Sequence, residues 1–193
     1  MNSISSHKSS NLSGNLIVPG DKSISHRSLI IGSLVNGRIE INNLLESEDV
    51  IATANALRIL GVQINKLNNK WEVFGSGIGN FYGSNYTLNM GNSGTGARLL
   101  MGLIAGSNIE ATFIGDESLS KRPMKRITSP LKKTGATIGN QTNNLPIKIK
   151  GNKIVLPIEY ESSVPSAQVK SSILLAGLSS LGKTTVIEPT LSR

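Results

Sequence analysis

The chain has 193 residues, 38% of them hydrophobic and 17% charged, with no cysteine and a net charge of +8. Those values describe a globular protein of one good-sized domain, or of one and a half smaller ones. They exclude a disulfide scaffold, thiolate metal sites and a cysteine nucleophile. The positive balance leaves two readings, a nucleic-acid surface or a cleft for a polyanionic small molecule. Aromatic residues make up only 4% of the chain, fewer than a base-stacking platform uses. The cations lie scattered through turns, which favours the small anion. No apolar run reaches the ~20 residues that span a bilayer. Met1 to Ser13 is polar, with no apolar core of the secretory kind, and residues 1–12 read as a disordered lead-in.

The first predicted element is a short strand, Asn15–Val18, closed by Pro19-Gly20. Gly20-Asp21-Lys22-Ser23-Ile24-Ser25-His26-Arg27 follows and opens an apolar helix through Leu34. Lys22, Ser23 and Arg27 then sit where free N–H groups and the positive end of the helix dipole collect, a natural anion site. The plainer alternative is a serine-capped helix with solvated cations. His26 reads as a helix-surface residue. A strand (Arg38–Asn42) follows. Glu46, Glu48 and Asp49 mark a helix start, where the dipole explains them. That helix ends at Gly61, and a strand and a further strand, Lys70–Phe74, come next.

The pattern then repeats. Gly91-Asn92-Ser93-Gly94-Thr95-Gly96-Ala97-Arg98 opens a second helix, and its glycines let backbone N–H groups approach an anion. Ile109–Ile114 is the next strand. Asp116 to Arg126 carries four cations within six residues, before a helix expected to start near Pro123. Pro123 fixes where Arg122 points, while Lys125 reads as solvated. A glycine stop at Gly135 and the strand Pro146–Ile149 match the first unit. Lys153–Leu156 is read as a strand, Ser166–Leu178 as a helix capped by Ser166, and Thr184–Ile187 as a strand. Arg27, Arg98 and Lys170 enter their helices roughly 70 residues apart, the mark of an internal repeat. The unit is strand, helix, strand, helix, strand, strand, and the third copy stops at Arg193. An incomplete third unit predicts uncovered apolar faces and marginal stability.

Gly177-Leu178-Ser179-Ser180-Leu181-Gly182-Lys183-Thr184 fits the phosphate-loop pattern letter for letter. That loop needs a strand before it and a helix after it. Here the order is reversed, so the stretch reads as a helix end and turn. His7 and His26 stand alone, and no metal-spaced cluster or catalytic triad is visible.

Taken together, Gly20–Arg27, the Asn92–Thr95 turn, Lys121-Arg122-Pro123, Ser166-Ala167-Gln168 and Glu188-Pro189-Thr190-Leu191-Ser192-Arg193 resemble the 3-phosphoshikimate 1-carboxyvinyltransferase (5-enolpyruvylshikimate-3-phosphate synthase) family. The resemblance runs from about Leu12 to the last residue and is nearest to bacterial members. It implies an α/β (α+β) fold of repeated βαβαββ units. Residues 13–193 would form a first enolpyruvyl-transferase domain with its third unit incomplete and the second domain absent. It implies transfer of the enolpyruvyl group of phosphoenolpyruvate to the 5-hydroxyl of shikimate 3-phosphate, releasing phosphate, in aromatic amino acid biosynthesis. Lys22 would touch both substrates and stabilise charge; Ser23 and Arg27 would bind with it. Gly94 and Arg122 would hold phosphoenolpyruvate, with Asn92 and Thr95 supporting the turn. Ser166, Ala167, Gln168, Ser192 and Arg193 would hold shikimate 3-phosphate. No cofactor, metal, nucleic acid or membrane is implied, and the full-length enzyme would be a cytoplasmic monomer. The family's acid/base carboxylates lie in its second domain, so this chain alone is expected not to turn over. Glyphosate-tolerant members of the nearest class carry alanine at the position of Gly94, from which this chain departs. Two alternatives remain beside it. One is the sister enzyme acting on UDP-N-acetylglucosamine, which often uses a cysteine that this chain lacks. The other is a basic nucleic-acid-binding module.

Overall fold

The computed structural model of the chain describes residues 3–68, 70–139 and 143–192. After an exposed N-terminal segment the elements are α1 (Lys22–Ser33), β1 (Asn36–Asn42), α2 (Glu48–Ile59), β2 (Gln63–Leu67) and β3 (Lys70–Ser76). Then come β4 (Tyr86–Asn89), α3 (Gly94–Ala105), β5 (Glu110–Ile114), α4 (Glu117–Ser120), α5 (Lys125–Lys133), β6 (Thr137–Gly139) and β7 (Ile147–Lys150). The last elements are β8 (Glu159–Glu161), α6 (Ala167–Gly177) and β9 (Thr185–Ile187).

The strands form three small sheets, ordered β1-β3-β2, β4-β5-β7-β6 and β8-β9. In the first sheet β3 runs antiparallel to both neighbours. In the second, β7 does the same between β5 and β6, and β4 adds a parallel strand beside β5. The third is a single parallel pair, arranged as β4 and β5 are. The turns after α2 and α5 each need a residue at positive φ, supplied by Gly61 (+92°) and Gly135 (+97°). Without a Cβ, glycine adopts that conformation at no steric cost.

Helix α3 runs through the middle. Leu99, Leu100, Met101 and Ile104 are fully buried and the rest of its apolar residues nearly so, the pattern of a helix surrounded by protein. Helix α2 packs against α1 and α3, and α5 against α3 and α6. The closest approach is α3 to α6: a Cβ on Gly102 would lie 2.1 Å from the carbonyl oxygen of Ser172. Only glycine permits that crossing. Phe113, Leu29, Leu57 and Leu88 complete the core, each contributing about 1.5–3 kcal/mol of burial free energy. Between α1 and α6 an apolar groove of about 290 Å³, lined by Ile30, Ile31, Leu174, Leu175 and Leu178, stays open.

Several expectations are corrected. Asn15–Val18 forms no strand; Leu16 and Ile17 are 86% and 90% exposed. No described strand lies alongside to take up its hydrogen bonds. Lys153–Leu156 contributes only an isolated bridge, Val155 to Ser180. Pro157 has no N–H and interrupts the ladder, so the strand forms later, as β8. The helix expected near Pro123 begins at Lys125, after the short α4 capped by Asp116. His26 is not on the surface; it is fully buried, with Nδ1 2.8 Å from Thr53 Oγ1. The cap of α1 is Asp21, whose carboxylate accepts from the Ile24 N–H at 2.8 Å. At Gly177–Thr184 helix α6 precedes and β9 follows, the wrong order for a phosphate loop.

Candidate active site

Three helix N-termini, those of α1, α3 and α6, converge on one cleft of about 840 Å³. Ser23 and Arg27 reach it from α1, Thr95 from α3, and Ser166, Ala167 and Gln168 from α6. The residues come from three helix starts that are distant in sequence. Each helix begins on a small polar residue because a short side-chain oxygen can bond its own N2 or N3 amide. Asp21 does this for α1, Ser93 for α3 (accepting from Gly96 at 3.2 Å) and Ser166 for α6 (from Val169 at 3.4 Å).

Arg27 ties the first wall to the third. Its Nη2 donates to Ser171 Oγ at 2.8 Å and its Nη1 to the Ser23 carbonyl at 3.1 Å. Lys22 stands at the start of α1, half exposed, with its ammonium 2.9 Å from Asp49 Oδ2. Gly94 opens α3 between two guanidinium groups. A Cβ there would lie 3.0 Å from Arg98 Nη1 and 3.1 Å from Arg122 Nη1. Arg122 is held from the other side, donating to Asn92 Oδ1 and, at 3.2 Å, to Ser118 Oγ. Asn92 in turn donates to Asp116 Oδ2 at 2.6 Å. Arg122 also lines a neighbouring concavity with Asp116, Ser118 and Lys121.

Arg98 makes no ion pair among the described residues. Burial lowers its pKa, and the charges of Arg122 and Arg126 push the same way. A partly buried guanidinium with cationic neighbours is stabilised by an incoming anion. Lys170 differs: it donates to Glu188 Oε2 at 2.7 Å and to the Ser192 carbonyl at 2.9 Å. The hydrogen bond from Lys170, helped by those from Ser192 and the Ser166 amide, holds the Glu188 carboxyl down at about 2. Ser192 therefore packs against α6 with its hydroxyl on Glu188. Arg193 lies outside the described residues.

Of the residues expected to bind, the fold unites Ser23, Arg27, Thr95, Ser166, Ala167 and Gln168 in the cleft. Gly94, Asn92 and Arg122 form an adjoining group joined to it through Arg98. Lys22 flanks the cleft, and Ser192 sits behind Lys170. Arg98, Ser171 and Glu188 were absent from the expected binding set. Arg98 had a signal, since it occupies the place in its turn that Arg27 occupies in the first. Ser171 carries none, and Glu188 only its place at the head of the closing motif, because their contacts depend on how α6 packs. Among the described residues no group of three or more His, Asp or Glu side chains could hold a metal ion, and no helix is long and apolar enough to cross a membrane.

The sequence profile of the EPSP synthase (3-phosphoshikimate 1-carboxyvinyltransferase) family matches residues 6–193. The 3-phosphoshikimate 1-carboxyvinyltransferase of Bartonella quintana is 51% identical, the match covering 98% of this chain and 43% of the relative. That of Rhodospirillum rubrum is also 51% identical, over 97% of this chain and 43% of the relative. The EPSP synthase structure from Acinetobacter baumannii aligns with a TM-score of 0.88 at 42% identity, over 93% of this chain and 41% of that one. The chain spans less than half the length of these relatives. The family match runs through all three helix-start turns that meet at the cleft, and this chain belongs to the EPSP synthase family.

Proposed function

We propose that this chain supplies one wall of the substrate site for enolpyruvyl transfer from phosphoenolpyruvate to the 5-hydroxyl of shikimate 3-phosphate. The observation that carries the reading is the convergence of Ser23, Arg27, Thr95, Ser166, Ala167 and Gln168 on a single cleft. Ser166, the amides at the start of α6 and Arg27 suit the phosphate and hydroxyls of shikimate 3-phosphate. Gly94, Arg98 and Arg122 suit phosphoenolpyruvate, whose carboxylate and phosphate both call for guanidinium partners. Lys22, which flanks the cleft, is assigned contact with both substrates and stabilises charge as the reaction proceeds.

In that reaction the 5-hydroxyl gives up its proton to a base as its oxygen bonds to C2 of phosphoenolpyruvate, while C3 takes a proton from an acid. The tetrahedral intermediate then loses phosphate from C2 and a proton from C3, restoring the double bond. The chain spans about 43% of its relatives' length, and the acid/base groups for these proton transfers are assigned to the part it does not match. Alone, it is proposed to bind and not to turn over. Residues 13–193 as one enolpyruvyl-transferase domain, a monomeric whole enzyme and a cytoplasmic location belong to the same proposal.

Isothermal titration with shikimate 3-phosphate tests it. Weak saturable binding, reduced by Arg27→Ala and by Lys22→Ala, is expected. Binding that ignores both substitutions contradicts the site.

A further inference from the structure

Glu188 follows β9 and its side chain is only 6% exposed. It holds two parts of the chain at once. Oε1 accepts from the Ser166 N–H at 3.0 Å and from the Ser192 hydroxyl at 2.7 Å. Oε2 accepts from Lys170 Nζ at 2.7 Å and from the Ser192 N–H at 3.4 Å. Lys170 closes the ring by donating to the Ser192 carbonyl at 2.9 Å. The start of α6 and the segment 188–192 are thus locked together by a charged, partly buried hydrogen-bond network. Such networks can be worth more than the sum of their separate bonds.

Two chemical consequences follow. Lys170 is one of the three repeated cations, yet its charge is spent on Glu188, unlike those of Arg27 and Arg98. The Ser166 N–H is also spent, so the amides of Ala167 and Gln168, which have no intrahelical acceptor, are the ones α6 can offer an anion. Ser166 and Lys170 both line the cleft, so whatever fixes them fixes that wall.

We infer that Glu188 is a positioning residue for ligand binding: it clamps the segment 188–192 to the N-terminus of α6 and thereby sets the turn Ser166-Ala167-Gln168 against the anion. The identity of the ligand rests on the proposed function; the clamp does not.

The test pairs hydrogen exchange with titration by shikimate 3-phosphate on this chain. Glu188→Gln keeps the size of the side chain and removes the charge that holds Lys170. Faster exchange in 166–169 and 188–192 and about tenfold weaker binding are expected. Lys170→Met breaks the network from the other side and gives the same pattern. The double variant binds no more weakly than the worse single one, because the two groups act as a unit. Ser192→Ala, a milder change that leaves the ion pair in place, raises exchange in 188–192 alone. Wild-type exchange in Glu188→Gln, unchanged affinity despite faster exchange, or additive losses would each overturn the inference. If the unaltered chain takes up no shikimate 3-phosphate while Glu188→Gln still loosens both segments, the functional reading fails and the clamp stands.

Discussion

Arg98 on α3 donates a 2.9 Å hydrogen bond to Oε1 of Gln168 on α6. Gln168 passes the interaction on, its Nε2 donating to Thr95 Oγ1 at 3.0 Å. The two bonds fix the amide's orientation, oxygen toward the guanidinium and NH2 toward the hydroxyl. They also link α3 to α6 at the cleft. A neutral amide holds Arg98 in place without cancelling its charge, which leaves that charge for a ligand.

Gln168→Glu tests this use of a neutral partner. A carboxylate would pair with Arg98, so the fold is expected to keep or gain stability. Affinity for shikimate 3-phosphate and for phosphoenolpyruvate should fall about tenfold or more, since the new charge both occupies Arg98 and repels anions. Thermal unfolding and titration of the same preparation read the two effects. Unchanged affinity would show that Arg98 does not serve the ligand.

Two neighbouring glycines are expected to respond oppositely to alanine. At Gly96 a Cβ would lie 2.4 Å from Thr53 Oγ1 and 2.7 Å from Ser93 Oγ, both in the interior. Gly96→Ala should destabilise by about 1–3 kcal/mol, the usual cost of overpacking. At Gly94 the nearest atoms are the ends of flexible Arg98 and Arg122 side chains. Gly94→Ala should leave stability near wild type, shift those guanidinium groups and weaken phosphoenolpyruvate binding. Denaturant unfolding beside titration separates the two, and a reversed pattern would contradict the placement of Gly94 in the site.

His26 predicts how stability depends on pH. Thr53 donates its hydroxyl proton to the Asp49 carbonyl at 3.3 Å, so it accepts from the Nδ1–H of His26. Nε2 is buried with no hydrogen-bond partner among the described residues. Protonation there would bury a charge without an acceptor. Burial, with Lys22 and Arg27 adding and Asp49 opposing, lowers the pKa from 6.5 to about 4. The unfolded chain therefore binds the proton first as pH falls. Stability is complete above pH 6.5 and is lost between 6.5 and about 4, by up to ~3 kcal/mol. Glu188 adds a further loss only below its ordinary value of 4.5, toward about 2. Unfolding free energies at pH 7.5 and 5 should differ for the parent chain and much less for His26→Gln. Equal slopes would remove His26 as the cause.

Lys22 and Asp49 form a largely exposed pair, with side chains 50% and 24% accessible. Such pairs contribute about 0–1 kcal/mol. Lys22→Ala should therefore barely move the unfolding midpoint while reducing ligand affinity. A large loss of stability would make Lys22 a structural residue.

The turns of the site were legible in the sequence because their chemistry is local. A glycine or small cap, then a cation one turn into an apolar helix, marks Arg27 and Arg98 without any knowledge of packing. Gly61 and Gly135 ended their helices as read, since a residue at positive φ leaves its own sign. What failed depended on distant partners. Asn15–Val18 has a strand's composition but no neighbouring strand to pair with. His26 looked solvated because nothing near it in sequence points to Thr53, 27 residues later. Glu188 heads the closing motif, but its contacts are not legible there, because its network forms only when β9 returns the chain to α6. Pro157 was the exception: it was there to be read, and it moves the strand from 153–156 to β8.

The starts of α1, α3 and α6 are proposed to form one anion cleft. Backbone NMR of the labelled chain, titrated with shikimate 3-phosphate, tests it most directly. Saturable shifts concentrated at Ser23, Arg27, Thr95, Ala167 and Gln168, abolished together by Arg27→Ala, are expected. Shifts centred on the exposed cations of α5, or spread over the basic surface and erased by moderate salt, would contradict it.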